Sequence, residues 1–329
     1  MKKLLLLLSS AIFLFIILKS FTPKATETIS TPTPLKVGTN IWIGYEPLYL
    51  AQKLGYFQGS AIELVQFSNS TQVLHAYKTG QIQVAALTLD EVLMLQSLPD
   101  KPRVILIVDF SNGADSIVGQ PEFKNLKSVS NKRIGVENTA MGGFFLSRAF
   151  ATSGLNLDKI TIVPLSLGEH EKAFAENRVD AVVTFDPTKS NLIKNGGVEL
   201  FNSSQIPGEI IDSLVASDKI TETRKKDLQR LLIGWEEAVE LIHNSPEKAL
   251  AVISERLKMP PTALAESYKG IQLVDLRQNI KLMSDTESNV FKTLEQLPKF
   301  LIQAKLLSGK VDTSGVLNPS VITSLNQGH

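Results

Sequence analysis

Trp42-Ile43-Gly44-Tyr45-Glu46-Pro47-Leu48-Tyr49-Leu50-Ala51-Gln52-Lys53-Leu54-Gly55-Tyr56-Phe57 is the most informative stretch of this sequence. A short apolar strand, Leu35 to Ile41, precedes it. Glu46 is placed to cap a helix, and Pro47 fits the first helical position, where the fixed φ suits and the missing N–H has no helical partner to lose. Gly55 can end that helix in a left-handed turn. A strand therefore ends, two aromatics occupy the loop, and a helix N-terminus faces the same spot. In an open α/β sheet that is where ligands bind, beyond the carboxyl ends of strands.

Strand and helix patterns alternate outward from this point. Ile62 to Phe67, Val84 to Leu87 and the continuous apolar run Val104 to Phe110 read as strands; Thr71 to Thr79 and Leu89 to Leu98 read as helices. The alternation implies βαβ units and a mostly parallel sheet. After Ser111-Asn112-Gly113 the pattern restarts. Lys132 to Val136, Ile160 to Leu165, Ala181 to Phe185 and Val198 to Phe201 are strands, while Gly142 to Ser153, His170 to Asn177 and Pro187 to Lys194 are helices. Ile210 to Ala216 reads as a strand returning to the first lobe, and from Asp218 the chain is almost all helix-like. The expected fold is α/β with two lobes: residues 35–112 plus 214–329 form the first, discontinuous lobe with a helical C-terminal tail, and 113–213 the second. Two crossings between lobes suit a hinge that closes around a ligand.

The start of the chain reads as an address. Lys2 and Lys3 precede an unbroken apolar run, Leu4 to Leu18, which is the pattern of a secretory signal and is shorter than a spanning helix requires. No clean small-x-small cleavage site follows, so residues 1–21 are expected to be a signal peptide or an uncleaved anchor. Residues 22–34, rich in Thr and Pro, read as a tether. There is no cysteine, which excludes a lipidated-cysteine anchor and disulfides, and a net charge of +1 supplies no global field for nucleic acid or membrane.

Several segments in order carry a family resemblance. They are the opening stretch; Leu74-x-x-Tyr77-Lys78-Thr79-Gly80-Gln81-Ile82-Gln83-Val84-Ala85 with Ala86-Leu87-Thr88-Leu89-Asp90-Glu91; Asp109-Phe110-Ser111-Asn112-Gly113-Ala114-Asp115; Arg133-Ile134-Gly135-Val136-Glu137; and Ala173-Phe174-x-x-Asn177-Arg178-Val179-Asp180-Ala181-Val182-Val183-Thr184-Phe185-Asp186-Pro187. Together they resemble the substrate-binding proteins of ABC importers in the nitrate/sulfonate/taurine and thiamine-precursor group. The resemblance implies the type II periplasmic-binding fold and an exported, monomeric receptor that hands a small solute to an ABC permease. A sensory receptor serving a membrane signalling protein is the alternative that the sequence leaves open.

Four turns should face the cleft: Trp42 to Pro47, Thr88 to Glu91, Asn138 to Gly143, and Phe185-Asp186-Pro187. Their free backbone N–H groups and helix dipoles suit polar ligand groups. Candidate contacts are Trp42, Gly44, Tyr45, Glu46, Thr88, Asp90, Ser111, Asp115, Thr139, Gly142, Gly143, Phe185 and Asp186. Each has a structural reading as well: Thr88 and Glu91 make a capping box, Asp186 is a good N-cap, and the glycines permit tight turns. The turns and adjoining positions carry Glu46, Asp90, Asp109, Asp115, Glu137 and Asp186 and no Lys or Arg. The expectation is therefore a small cationic or zwitterionic solute, taurine-like or aminopyrimidine-like, with nitrate or an alkanesulfonate as the alternative.

Catalysis finds little support. His75, His170, His243 and His329 lack metal-ligand spacing, and no nucleophile elbow, P-loop or dinucleotide fingerprint occurs. A fungal branch of the resembled family makes a thiamine precursor with a cysteine-rich motif, which this chain cannot supply. No enzyme activity, metal, cofactor or nucleic-acid partner is expected.

Overall fold

Leu35–Thr39 (β1) opens the computed structural model, which describes residues 33–137 and 139–325. The expected signal or anchor, and the expected tether except Thr33 and Pro34, lie outside the described residues. Strand β1 pairs in parallel with Ile62–Gln66 (β2) and Val84–Thr88 (β3). Pro102–Ser111 (β4) follows, then the chain leaves this sheet. Ser116–Gly119 (β5), Arg133–Glu137 (β6), Thr161–Leu165 (β7), Ala181–Thr184 (β8) and Val198–Asn202 (β9) form a second sheet in the order β7-β6-β8-β5-β9. The chain returns as Ile211–Ser217 (β10), which inserts between β3 and β4, and Ile271–Leu273 (β11) closes the far edge. The protein is thus two α/β lobes, the first discontinuous in sequence.

The sheets are mixed where a mostly parallel arrangement was expected. Strand β10 runs antiparallel to β3 and β4, and β5 antiparallel to β8 and β9. The cause is topological: a chain arriving from the other lobe enters against the direction that βαβ units impose. The helix expected over Leu89 to Leu98 stops at Met94. Strands β5 and β11 were not legible, being four and three residues long.

Burial follows the apolar runs. Val104 to Val108 in β4 are fully buried, as is Trp235, whose indole N–H donates to the Val274 carbonyl at 3.1 Å. Asn279, also fully buried, anchors the helical portion to β4: its carbonyl accepts from the Ile107 N–H at 2.6 Å and its amide donates to the Ile107 carbonyl at 2.8 Å.

Two features of the crossings position the site. First, register sets Asp212 of β10 opposite Thr88 on one side and Asp109 on the other. Second, the two crossings are tied together. The Ser111 and Ser203 hydroxyls bond at 2.7 Å, Gly113 N–H donates to Ser203 Oγ at 2.7 Å, and Ser203 N–H donates to the Asp115 carbonyl at 2.9 Å.

Candidate ligand-binding site

The carboxyl ends of β1, β3 and β6 converge with both crossings on one narrow cavity. The first lobe lines it with Asn40, Trp42, Tyr45, Ser70, Thr88 and Glu91, the returning crossing with Ile210 and Asp212, the outgoing one with Asp115, and the second lobe with Glu137, Thr139, Met141 and Phe185. Its free volume is about 20 Å³, room for little more than one water. Trp42 and Phe185 meet edge to face across the lobes, 5.5 Å between centroids at 80°. That geometry matches the ring quadrupoles, positive edge to negative face.

The lining is acidic. Glu91, Asp115, Glu137 and Asp212 reach it, and no Lys or Arg does. Asp109 and Asp90 lie buried close by. Two aromatics hold acids in place: Trp42 Nε1–H donates to Asp109 Oδ2 at 3.1 Å, and the Tyr45 hydroxyl donates to Asp212. Glu91 Oε2 accepts from the Thr88 N–H at 3.2 Å. Glu91 Oε1, Glu137 Oε1, Asp109 Oδ1, Asp90 Oδ2 and Asn40 Oδ1 have no partner.

Buried carboxylates without counter-charges resist ionisation. Burial lifts Glu91 to about 8, helped by the neighbouring Asp90 charge. Burial lifts Asp109 to about 8 and Asp115 to about 6, the latter held back by Ser111 and by the Lys189 charge. Glu137 rises to about 7 through burial, opposed by the Leu167 backbone. Asp212 is pushed well up by burial and then by Asp109. Lys189 itself is occupied, donating to the Gly113 carbonyl at 2.7 Å and pairing with Glu199 at 2.7 Å.

Of the residues singled out from sequence, Trp42, Tyr45, Thr88, Asp115, Thr139 and Phe185 line the cavity. The others stand behind it or elsewhere. Gly44 is a close-approach position: a Cβ there would lie 1.9 Å from Asp109 Oδ2. Glu46 faces away, its carboxylate bound by Arg256 at 2.5 Å, and that guanidinium stacks 3.5 Å over the Tyr49 ring. Ser111 belongs to the tie between crossings. Gly142 N–H donates to Thr139 Oγ1 at 3.1 Å, and Gly143 faces Leu306. Asp186 caps its helix, accepting from Ser190 N–H at 3.0 Å and from its hydroxyl at 2.5 Å. Asn40, Ser70, Glu91, Glu137, Met141, Ile210 and Asp212 also line the cavity and are not among the candidate contacts; Glu91 was read as half of a capping box and Glu137 only as one of the acids near the turns. Asp212 had a legible signal, an acid inside the apolar returning strand.

Among the described residues no group of three or more His, Asp or Glu is placed to hold a metal, and no helix there is long and apolar enough to cross a membrane.

Two lobes, two crossings and a cavity at the strand ends define the two-lobed fold of the periplasmic binding proteins. Residues 29–257 match the model of the NMT1-like family, and the chain belongs to that family. A binding protein of Brucella abortus is 25% identical over 195 residues, 57% of this chain and 60% of that one. The match therefore spans three fifths of that relative's length. The alkanesulfonate-binding protein SsuA of Xanthomonas axonopodis pv. citri, in a structure bound to MOPS, superposes with TM-score 0.72 at 18% identity, covering 88% of this chain and 99% of that one. The desulfurization enzyme DSZB has the same fold, with TM-score 0.63 at 16% identity, covering 89% and 99%. These likenesses show the fold, which thus carries both binding proteins and an enzyme.

Proposed function

We propose that the protein is an extracytoplasmic solute receptor that captures a small, positively charged solute between its lobes and delivers it to an ABC permease. One observation carries the reading: four acids line the cavity with no basic side chain among the lining residues, and carboxylate oxygens of Glu91 and Glu137 have no partner. A cation supplies what those oxygens lack, because a buried unpaired charge is costly until it is neutralised or bonded. The aromatic pair Trp42–Phe185 adds cation–π attraction of roughly 0.5–2 kcal/mol to a cation against its faces.

Capture proceeds by closure. The ligand enters the open cleft, the acids of the first lobe and of the crossings take its charge, and the second lobe swings about the two tied crossings to bring Glu137 and Phe185 onto it. Closure removes water, which strengthens the charge pairing. The receptor then acts as a monomer on its permease, its export directed by the N-terminal segment.

A second reading, capture of an alkanesulfonate, is favoured by the sulfonate-binding neighbour. Thermal-shift screening of purified protein against amines, betaines, taurine, nitrate and alkanesulfonates separates the two. Ligand at a hundred times its dissociation constant adds roughly 2.7 kcal/mol. Stabilisation by amines supports the cationic reading, and stabilisation by sulfonates alone replaces it with the second.

A further inference from the structure

Helix Asn289–Gln303 takes no part in the cavity, yet the second lobe rests on it. This helix belongs to the first lobe. It buries Val290, Leu294, Leu297 and Leu301 and packs against helix Leu89–Met94, which follows the Thr88 turn. Its neighbour in the second lobe is helix Ala140–Thr152, which sends Met141 to the cavity at one end and carries Arg148 about two turns further on.

Arg148 joins three parts of the molecule. Its guanidinium forks onto Glu209, just ahead of β10, with Nε donating to Oε2 at 2.5 Å and Nη2 to Oε1 at 2.8 Å. The same guanidinium lies over the Phe300 ring, 3.8 Å from its centroid. The fork fixes the guanidinium plane, and a planar cation held in this way is preorganised for an aromatic face. A second contact lies nearer the cavity. Lys305 takes the left-handed conformation, φ 60°, and Leu306 folds back to donate its N–H to the Leu301 carbonyl at 2.8 Å. That turn sets Leu306 against Gly143, where an added Cβ would meet it at 3.5 Å, an ordinary contact distance. Neither pair lines the cavity.

Resting on the solute-capture reading above, we propose that Arg148 is a positioning residue for lobe closure: with Phe300 it forms a brace, remote from the ligand, that holds the second lobe in the closed arrangement. The two partners of Arg148 differ in which lobe they follow. Glu209 lies on the returning crossing, so the fork can persist as the lobes part. Phe300 belongs to the first lobe, so opening draws its ring from under the guanidinium. Removing that ring face should shift the closed-to-open ratio by roughly 5–30-fold toward open, the equilibrium equivalent of a part-buried cation–π contact. A solute gripped by both lobes binds fully only when they close, so the brace sets affinity without touching the ligand.

The experiment is pulsed electron paramagnetic resonance on the purified full chain without added solute. The chain has no cysteine, so nitroxides at His75→Cys and Lys172→Cys, exposed helix positions on opposite lobes, report a single inter-lobe distance. Arg148→Met, which keeps an apolar stem, and Phe300→Leu should both move population from the short to the long distance by that factor. Phe300→Tyr keeps the ring face and should match the wild type. Gly143→Ala adds a methyl against Leu306 and should move population the other way. Circular dichroism verifies the fold of each variant, and a merely structural role would lower stability without lengthening the distance. Distributions of Arg148→Met and Phe300→Leu that superpose on the wild type overturn the brace. So does a shift in Phe300→Tyr as large as that in Phe300→Leu, or a wild type found only at the long distance. Solute capture stands or falls separately, on the thermal-shift screen.

Discussion

Replacing Glu137 by Gln should stabilise the unliganded protein at alkaline pH and cost it about 1 kcal/mol in acid. Glu137 is 8% exposed, and burial raises its pKa from 4.5 to about 7 against the pull of the Leu167 N–H. The sign follows from the raised value. The unfolded chain gives up this proton near pH 4.5 and the folded chain near pH 7, so the folded state holds more protons between them and loses stability as pH rises through that window. At about 1.4 kcal/mol for each tenfold change, the full cost above pH 7 is about 3 kcal/mol as an upper bound. Gln keeps the acceptor for Leu167 and carries no charge, but it leaves an amide N–H₂ without an acceptor, at about 1 kcal/mol. The net gain at pH 8 is then about 1–2 kcal/mol, a rise in Tm of roughly 2–8 °C for a domain of this size. Urea denaturation at pH 4.5 and pH 8 measures it directly. A variant less stable than wild type at pH 8 would show instead that Glu137 is charged and partnered in the unliganded protein.

Three further outcomes follow from the same geometry. Arg256→Met should lower stability by about 3 kcal/mol or more, because it leaves Glu46 buried without its partner, while calorimetric affinity for the ligand stays within about twofold, since neither residue lines the cavity. Gly44→Ala should abolish binding or folding, because its methyl would lie 1.9 Å from Asp109 Oδ2 and 2.4 Å from Trp42 Nε1; a well-folded variant with wild-type affinity would show that this loop shifts freely. Trp42→Phe should cost roughly 1.5–3 kcal/mol in both stability and binding, having stripped Asp109 of its only indole donor, as denaturation and titration read side by side.

How much of this was legible in the sequence depends on the length scale of each signal. The lobes were, because β4 is a ten-residue apolar strand and the βα pattern restarts after Gly113. The strand β5 was not, because four buried residues give periodicity nothing to repeat. The turns forming the cavity were legible as strand-to-helix transitions, so Trp42, Tyr45, Thr88 and Phe185 were found. Which side chain in a turn points inward was not: Asp90 and Glu91 are adjacent, and helix phase alone sends Glu91 to the lining. Glu46 misled for the same reason, since its partner Arg256 lies 210 positions away and belongs to the helical portion that no motif marks. Asp212 required the register of β10 between β3 and β4, which only the assembled sheet supplies.

If a cation is held by carboxylates that are partly protonated without it, protons must leave the site on binding. Titrating the strongest ligand near pH 7 in two buffers of different ionisation enthalpy counts them. Glu91 and Asp109 at about 8 and Glu137 at about 7 hold protons there in the unliganded protein, and a cation beside them lowers those pKa values. Net proton release is expected, with affinity rising between about pH 6 and pH 8. Proton uptake on binding, with affinity falling over that range, would mean the site neutralises its own acids to accept an anion, and would contradict it.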